Sequence, residues 1–283
     1  MATNPNHPFL RFSKVALAAA LVFALRDAQA QLFQEGFNYN SGDSLSGSGP
    51  WTGGSANLTI NSGSLSYSGP PSLGGNSLSV VSGSGASSVS VANFTSTPIT
   101  TGSVYYSFLA ECTSLPVSGN SYLTSILPSG AAGPNGGSDP LAVYAASVSG
   151  SSTTFRFGVR SGGSGATYAT SPNFTTGAVN LFVVEYTFGG NVSLWVNPTV
   201  GAGSPPTADV SVAAGTAAAN LQEVGFKAQS AAAVGNWLFD DLRVGTSWTD
   251  VTPASPVPEP STLALAGLGV LGLAARFRKA KRG

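Results

Sequence analysis

VNLFVVEYTF (179–188) and VSLWVN (192–197) are separated only by Gly189, Gly190 and Asn191. Both flanks are rich in β-branched and aromatic residues, and the three residues between them tolerate positive φ, so the stretch reads as a β-hairpin. The same signature recurs at spacings of about 8–12 residues, with Gly, Ser, Asn and Pro as punctuation, as in a sandwich or barrel. Upstream lie ANLTI (56–60), SLSVV (77–81), SVSVANF (88–94), SVYYSFLAEC (103–112), YLTSIL (122–127), LAVYAASV (141–148) and TTFRFGVR (153–160). Downstream lie EVGFKAQ (223–229) and NWLFDDLRVG (236–245). In TTFRFGVR, Phe155, Phe157 and Val159 share one face while Arg156 and Arg160 share the other. Between the two ends no segment shows a helical apolar period. The stretches SGDSLSGSGP (41–50) and PSGAAGPNGGSD (128–139) are bounded by strand signals and read as surface loops, not linkers. No internal repeat has a fixed period, and one all-β domain over residues 31–250 is expected.

Charged residues make up 8% of the 283-residue chain and its formal net charge is zero. That zero conceals an uneven distribution. Between Gln31 and Pro256 the only cations are Arg156, Arg160, Lys227 and Arg243, against ten carboxylates, a formal charge of −6. A body with this balance lacks the basic stripe that holds a phosphate backbone, which excludes nucleic acid as a partner. Cys112 is the single cysteine, so neither an intramolecular disulfide nor a multi-cysteine metal site can form. Its place at the end of an apolar run suits a buried, inert thiol.

The first 30 residues have the three parts of a secretory signal peptide: Arg11 and Lys14, an apolar stretch from Val15 to Leu25, and Ala28-Gln29-Ala30 as a small-x-small cleavage site before Gln31. The Sec translocon and signal peptidase are the partners this implies. The alternative, an uncleaved N-terminal anchor, has an apolar stretch short for a span. Cleavage removes His7, the only histidine. Ser-His-Asp and Cys-His catalysis and His-ligated zinc would then be impossible.

At the other end, residues 251–260 read as a linker, 261–275 as a hydrophobic transmembrane helix and 276–283 as a basic cytoplasmic tail. From Leu263 to Ala275 the chain is almost wholly apolar, yet as a helix it reaches only about 20 Å, short of a ~30 Å hydrocarbon core. Arg276, Arg278, Lys279, Lys281 and Arg282 would hold its end on the cytoplasmic side. Val257-Pro258-Glu259-Pro260, then the apolar stretch, then the basic end, resembles the PEP-CTERM sorting signal of Gram-negative bacteria that make exopolysaccharide. The resemblance implies an exosortase as processing partner and temporary residence in the inner membrane. Gly267, Gly269 and Gly272 allow close approach of another helix. An ordinary tail anchor is the alternative.

LFQEGFNYNSGDSLSGSGPWTGGS (32–55), LWVNP (194–198) and NWLFDDLRVGTSWTDVTP (236–253) resemble the opening strand, late hairpin and closing strand of secreted concanavalin A-like (LamG-like) jelly-roll domains. That resemblance implies a two-sheet antiparallel sandwich with its first and last strands side by side. Glycan-cleaving relatives carry an E-x-D-x-x-E pattern, which is not found here. Glu185 stands alone, and the adjacent Asp240 and Asp241 point to opposite faces of a strand. No enzyme is therefore expected, and no catalytic residue is assigned.

Calcium needs oxygen ligands and no histidine. If the end strands pair, Glu35 approaches Asp240 or Asp241, a candidate structural Ca2+ site; otherwise the aspartates flank the last strand, one of them pairing with Arg243. Of the four tryptophans, Trp195 and Trp237 lie in strands and read as core. Trp51 lies in a Gly-rich loop, where packing over an open end of the sandwich is the leading reading and an exposed glycan-binding platform is the candidate alternative. The Asn-x-Ser/Thr matches at Asn57, Asn93, Asn173 and Asn191 carry little weight in a Ser/Thr-rich chain.

These readings converge on an exported, non-enzymatic cell-envelope or extracellular-matrix protein associated with exopolysaccharide. It would be a membrane-anchored precursor first and a surface or matrix protein afterwards. A lectin-like glycan-binding module is the alternative, and a glycoside hydrolase the weaker one.

Overall fold

The ring of Phe157 meets that of Phe182 edge-on with centroids 4.3 Å apart, and Phe226 meets Phe239 at 5.0 Å. In each pair the two residues come from different sheets of a β-sandwich. The computed structural model describes residues 31–254, apart from 55–56, 84–86, 116–119, 136–137, 164, 170–171, 216–217 and 231–234. Its strands are β1 (Phe33–Glu35), β2 (Thr52–Gly54), β3 (Leu58–Asn61), β4 (Ser77–Val80), β5 (Ser88–Asn93), β6 (Ser103–Ser114), β7 (Asn120–Leu127) and β8 (Leu141–Ser147). They continue with β9 (Thr154–Arg160), β10 (Thr167–Tyr168), β11 (Phe174–Thr175), β12 (Val179–Thr187), β13 (Asn191–Val196), β14 (Val210–Ala213), β15 (Glu223–Ala228) and β16 (Asn236–Gly245). One short helix, α1 (Trp248–Val251), follows.

Sheet I runs β14-β13-β12-β6-β16-β4-β3, with β1 also paired to β16; sheet II runs β10-β9-β8-β7-β15-β5-β2, with β11 also on β9. The strand pairs within both sheets are antiparallel, which gives the two-sheet jelly-roll sandwich expected from the sequence. The first and last strands lie side by side, Phe33 opposite Val244 and Glu35 opposite Leu242.

Period-2 alternation explains the core. Phe155, Phe157 and Val159 of β9 face Phe182 and Val184 of β12, while Arg156 and Arg160 remain outside. The hairpin between β12 and β13 forms with Phe182 opposite Val196 and Tyr186 opposite Val192, and Gly189 takes φ +70° in its turn. Each of the eleven segments picked out by their β-branched and aromatic residues and spacing contains a strand. Five other strands, β1, β2, β10, β11 and β14, have two to four residues, too few for a period to show.

The outer face of sheet I is not open. Leu109, Leu181, Val183 and Trp195 pack there with Leu65, Trp248 and Val251 in a second apolar cluster. The helix that supplies Trp248 and Val251 was absent from the sequence expectation, although its signal, Ser247-x-x-Asp250, is a capping box. Ser247 accepts from the Asp250 amide and Asp250 from the Ser247 amide, and the Ser107 hydroxyl donates to the Val251 carbonyl at 2.7 Å. The folded body therefore reaches past residue 250: Val251 and Thr252, assigned above to a linker, are fully buried, and Gly201 donates its amide to the Thr252 carbonyl.

Candidate functional site

Glu35 enters the sandwich from β1 on the core side, opposite Leu242. Its Oε1 accepts the Phe37 amide at 2.7 Å, and its Oε2 accepts the Tyr39 hydroxyl at 2.6 Å and the Trp51 indole N–H at 2.9 Å. Burial, and then the Glu35 carboxylate, push the Tyr39 phenol well above its ordinary value. Trp51 is 1% exposed, with its ring near those of Phe226, Phe37 and Phe33 at 5.5, 6.2 and 6.3 Å. The platform reading of Trp51 is corrected: the Gly-rich loop carries the ring inward, its apolar faces are covered, and its one polar atom is satisfied by a carboxylate.

Asp240 and Asp241 lie elsewhere. Along β16, Trp237 and Phe239 point into the core, and so do Leu242 and Val244. The parity changes because a bulge falls between Asp240 and Arg243, with Asp241 at φ +50°. Asp240 is thereby turned to the outer face of sheet I, away from Glu35. Its carboxylate accepts the Ser64 hydroxyl at 2.6 Å, the Leu65 amide at 2.8 Å and the Asp241 amide at 2.7 Å. Asp241 accepts the Leu73 amide at 2.7 Å. Arg243, 1% exposed, donates to the Asp241 carbonyl at 3.2 Å and to the Pro71 carbonyl.

Burial raises the Asp240 carboxyl to about 6, opposed by its three donors, and raises that of Asp241, opposed by the Leu73 amide and Arg243. Burial also lowers Arg243, opposed by the two aspartates. The group fastens residues 64–73 onto the last strand. The calcium site built on convergence of Glu35, Asp240 and Asp241 is corrected on geometry, since Glu35 and Asp240 occupy opposite faces of one sheet. Among the described residues no cluster of three or more His, Cys, Asp or Glu is placed to hold a metal ion.

The outer face of sheet II has a different chemistry. A row of residues crosses the strands there: Tyr122 stands opposite Tyr144, Tyr144 opposite Gly158, and Gly158 opposite Tyr168. Gly158 has a reason to be glycine, because a Cβ there would lie 2.2 Å from the Thr167 carbonyl oxygen and 2.7 Å from the Tyr168 ring. The bare backbone lets Tyr168 pack over the sheet against Tyr122 and Tyr144, which are 3% and 9% exposed. Beneath them, the Asp139 carboxylate accepts the Ser125 hydroxyl at 2.6 Å and the Tyr122 hydroxyl at 3.1 Å.

The Tyr144 hydroxyl is raised by burial and held back by the neighbouring Arg160 guanidinium. Arg156 donates Nε to Asn173 at 2.9 Å. Two hollows open on this face. One, about 690 Å³, lies under residues 131–135 and is walled by Val89, Leu127, Ala218 and Ala219. The other, about 270 Å³, is lined by Ala146, Ser147, Val148, Ser149, Arg156 and Tyr168. Sequence reasoning had set Arg156 and Arg160 on one face but missed Tyr168, whose two-residue strand shows no alternation.

The signal-cleavage residues Ala28, Ala30 and Gln31 fall at or beyond the start of the described residues, and only Gln31 lies within them. The motif Val257, Pro258, Glu259 and Pro260 and the cations Arg276, Arg278, Lys279, Lys281 and Arg282 lie outside them. No helix among the described residues is long and apolar enough to cross a membrane.

Residues 256–279 match the PEP-CTERM protein-sorting motif. The motif marks an exported chain, anchored at the membrane before processing, with an exosortase as its processing partner. No curated protein sequence matches the chain. Among solved structures, the globular domain of T. cruzi calreticulin is similar at 11% identity and a TM-score of 0.46, over 77% of this chain and 88% of that one. Peanut lectin is similar at 16% identity and 0.42, over 75% and 97%, and lectin UEA-II complexed with galactose at 13% and 0.44, over 76% and 99%. These are likenesses of architecture, and no residue role follows from them.

Proposed function

We propose that this chain is a non-enzymatic protein of the cell envelope or extracellular matrix, released from the inner membrane by an exosortase and associated there with exopolysaccharide. The observation that carries the reading is the sorting motif at residues 256–279 directly behind a folded β-sandwich. Folded residues extend to Thr252, so only a few residues separate the body from Pro258. A passenger delivered by a cleavable label needs no chemistry of its own. In keeping with this, the buried carboxylates of Glu35, Asp139 and Asp240 accept hydrogen bonds from neighbouring side chains and amides. The low charge and dense hydroxyls of the body suit contact with hydrated polysaccharide, and its Ser and Thr residues are candidates for glycosylation.

Mass spectrometry of the protein from cell fractions, with and without the exosortase, tests the reading. Loss of both ends and appearance of the trimmed form outside the inner membrane are expected. An identical, full-length mass in both strains would overturn it. Release of reducing sugar from a polysaccharide by the purified protein would overturn the non-enzymatic part alone.

A further inference from the structure

The four cations of the body are not spread over its surface. Arg243 is buried in the network that fastens residues 64–73. Arg156 and Arg160 of β9 and Lys227 of β15 alternate with the core residues Phe155, Phe157, Val159, Phe226 and Ala228. All three therefore stand on the outer face of sheet II, each half-buried. Two of the ten carboxylates, Asp139 and Glu223, share this face, and both are buried and accept hydrogen bonds from neighbouring groups. Its three cations leave it with a formal charge of +1 in a body of −6, so a polyanion is attracted here. From β15 to β10 the face crosses four strand spacings, about 19 Å at ~4.8 Å each, so it can lie along several units of an extended chain.

We propose that the outer face of sheet II binds a carboxylate-bearing polysaccharide, with the hollow between Arg156 and Tyr168 as its principal subsite. The inference rests on the polysaccharide association proposed above and names its chemical class. The hollow, about 270 Å³, is at the small end of ligand sites and suits one sugar unit. Asn173 holds the Nε of Arg156, which orients the guanidinium and leaves its Nη edge to take a carboxylate in two parallel hydrogen bonds. Tyr168 forms another wall and offers an aromatic surface for a sugar face. Two polar atoms of this cluster, Tyr168 Oη and Arg160 Nε, are buried without a hydrogen-bond partner. Five other such atoms lie elsewhere among the described residues, and these two are the ones on β9 and β10, beside the hollow, that the protein's own groups leave without a partner. Gly158, by admitting the Tyr168 ring, is the positioning residue of the subsite.

The test is affinity electrophoresis of the full chain through gels containing polygalacturonate, alginate, or methyl-esterified polygalacturonate, which keeps the backbone and removes the charge. Retardation by the two polyuronates, lost at high salt and absent with the ester, is expected. Arg156→Gln is expected to weaken binding at least tenfold without lowering the melting temperature, because the side chain is half-exposed. Tyr168→Ala is expected to do the same, and circular dichroism of each variant confirms that it is folded. Equal retardation by the ester would overturn the acidic specificity and leave polysaccharide association standing. No retardation by any of the three would overturn the inference, while the fractionation experiment above independently tests export and processing. Unchanged binding of folded Arg156→Gln would overturn the placement of the site.

Discussion

The indole N–H of Trp51 donates to the Glu35 carboxylate at 2.9 Å inside the sandwich, joining a Gly-rich loop to the first strand. Trp51→Ala empties a space bounded by Phe33, Phe37 and Phe226 and should cost about 3–5 kcal/mol. Glu35→Ala strands three donors, the Phe37 amide, the Tyr39 hydroxyl and the Trp51 indole, each worth about 1–3 kcal/mol when buried unpaired. Urea denaturation followed by tryptophan fluorescence measures both. A Trp51→Ala variant as stable as the parent would contradict the buried placement.

Much of the fold was legible because alternation survives wherever one face of a strand is buried. TTFRFGVR shows its inward phenylalanines and outward arginines in the letters themselves. The site was less legible for two reasons. The bulge at Asp241 shifts parity within NWLFDDLRV: the spacing of Trp237, Phe239, Leu242 and Val244 records the shift, but strict alternation from either end misplaces Asp240 or Arg243. Tyr168 acquires its position from pairing with Gly158, a tertiary fact that a two-residue strand cannot announce. For Trp51 the letters left a platform and inward packing both open, because glycines around a tryptophan look alike whether the loop turns out or in, and the structure shows the packing.

Stability should fall as the pH rises from about 4 to about 6. Burial raises the carboxyl of Asp240 to about 6, and those of Asp241 and Glu223 move in the same direction. Within that window the folded chain keeps protons that the unfolded chain has released, so the stabilisation is complete below the unfolded value and lost as pH passes the folded one. Urea midpoints at pH of about 4.5 and about 7 should therefore differ, the lower pH giving the higher midpoint from these three groups. Asp240→Asn should flatten the slope, and a parent protein whose midpoint rises across this window would sink the argument.

Chelation should leave the melting temperature of the body unchanged. Glu35 and Asp240 face opposite sides of sheet I, and their oxygens are taken by side-chain and amide donors. A fall in melting temperature with EDTA, restored by Ca2+, would show that oxygen ligands assemble somewhere other than at the β1–β16 seam.

The Cys112 thiol should resist modification in the native protein. Its side chain is buried, its Sγ donates to the Ser114 carbonyl at 3.3 Å, and burial pushes it up to about 12, so little thiolate exists at neutral pH. Ellman's reagent should read no fast thiol before denaturation and one per chain in urea. Rapid native labelling would mean that the C-terminal end of β6 opens.

Gly245→Ala should loosen the end of the body nearest the sorting motif. A Cβ at residue 245 would lie 2.3 Å from the Cβ of Asp250, whose carboxylate accepts the Thr246 and Ser247 amides at 3.0 and 2.8 Å. Relieving that clash means moving α1, and with it Trp248, whose ring meets Trp195 edge-on at 5.2 Å, and Val251, which caps the outer cluster. Strain of this kind costs about 1–3 kcal/mol. The expected signs are a lower melting temperature, a red-shifted tryptophan emission and faster proteolysis after residue 245, with the strand core intact by far-UV circular dichroism. A variant that melts with the parent and keeps its emission would show that α1 tolerates displacement, and that the body ends, in effect, at β16.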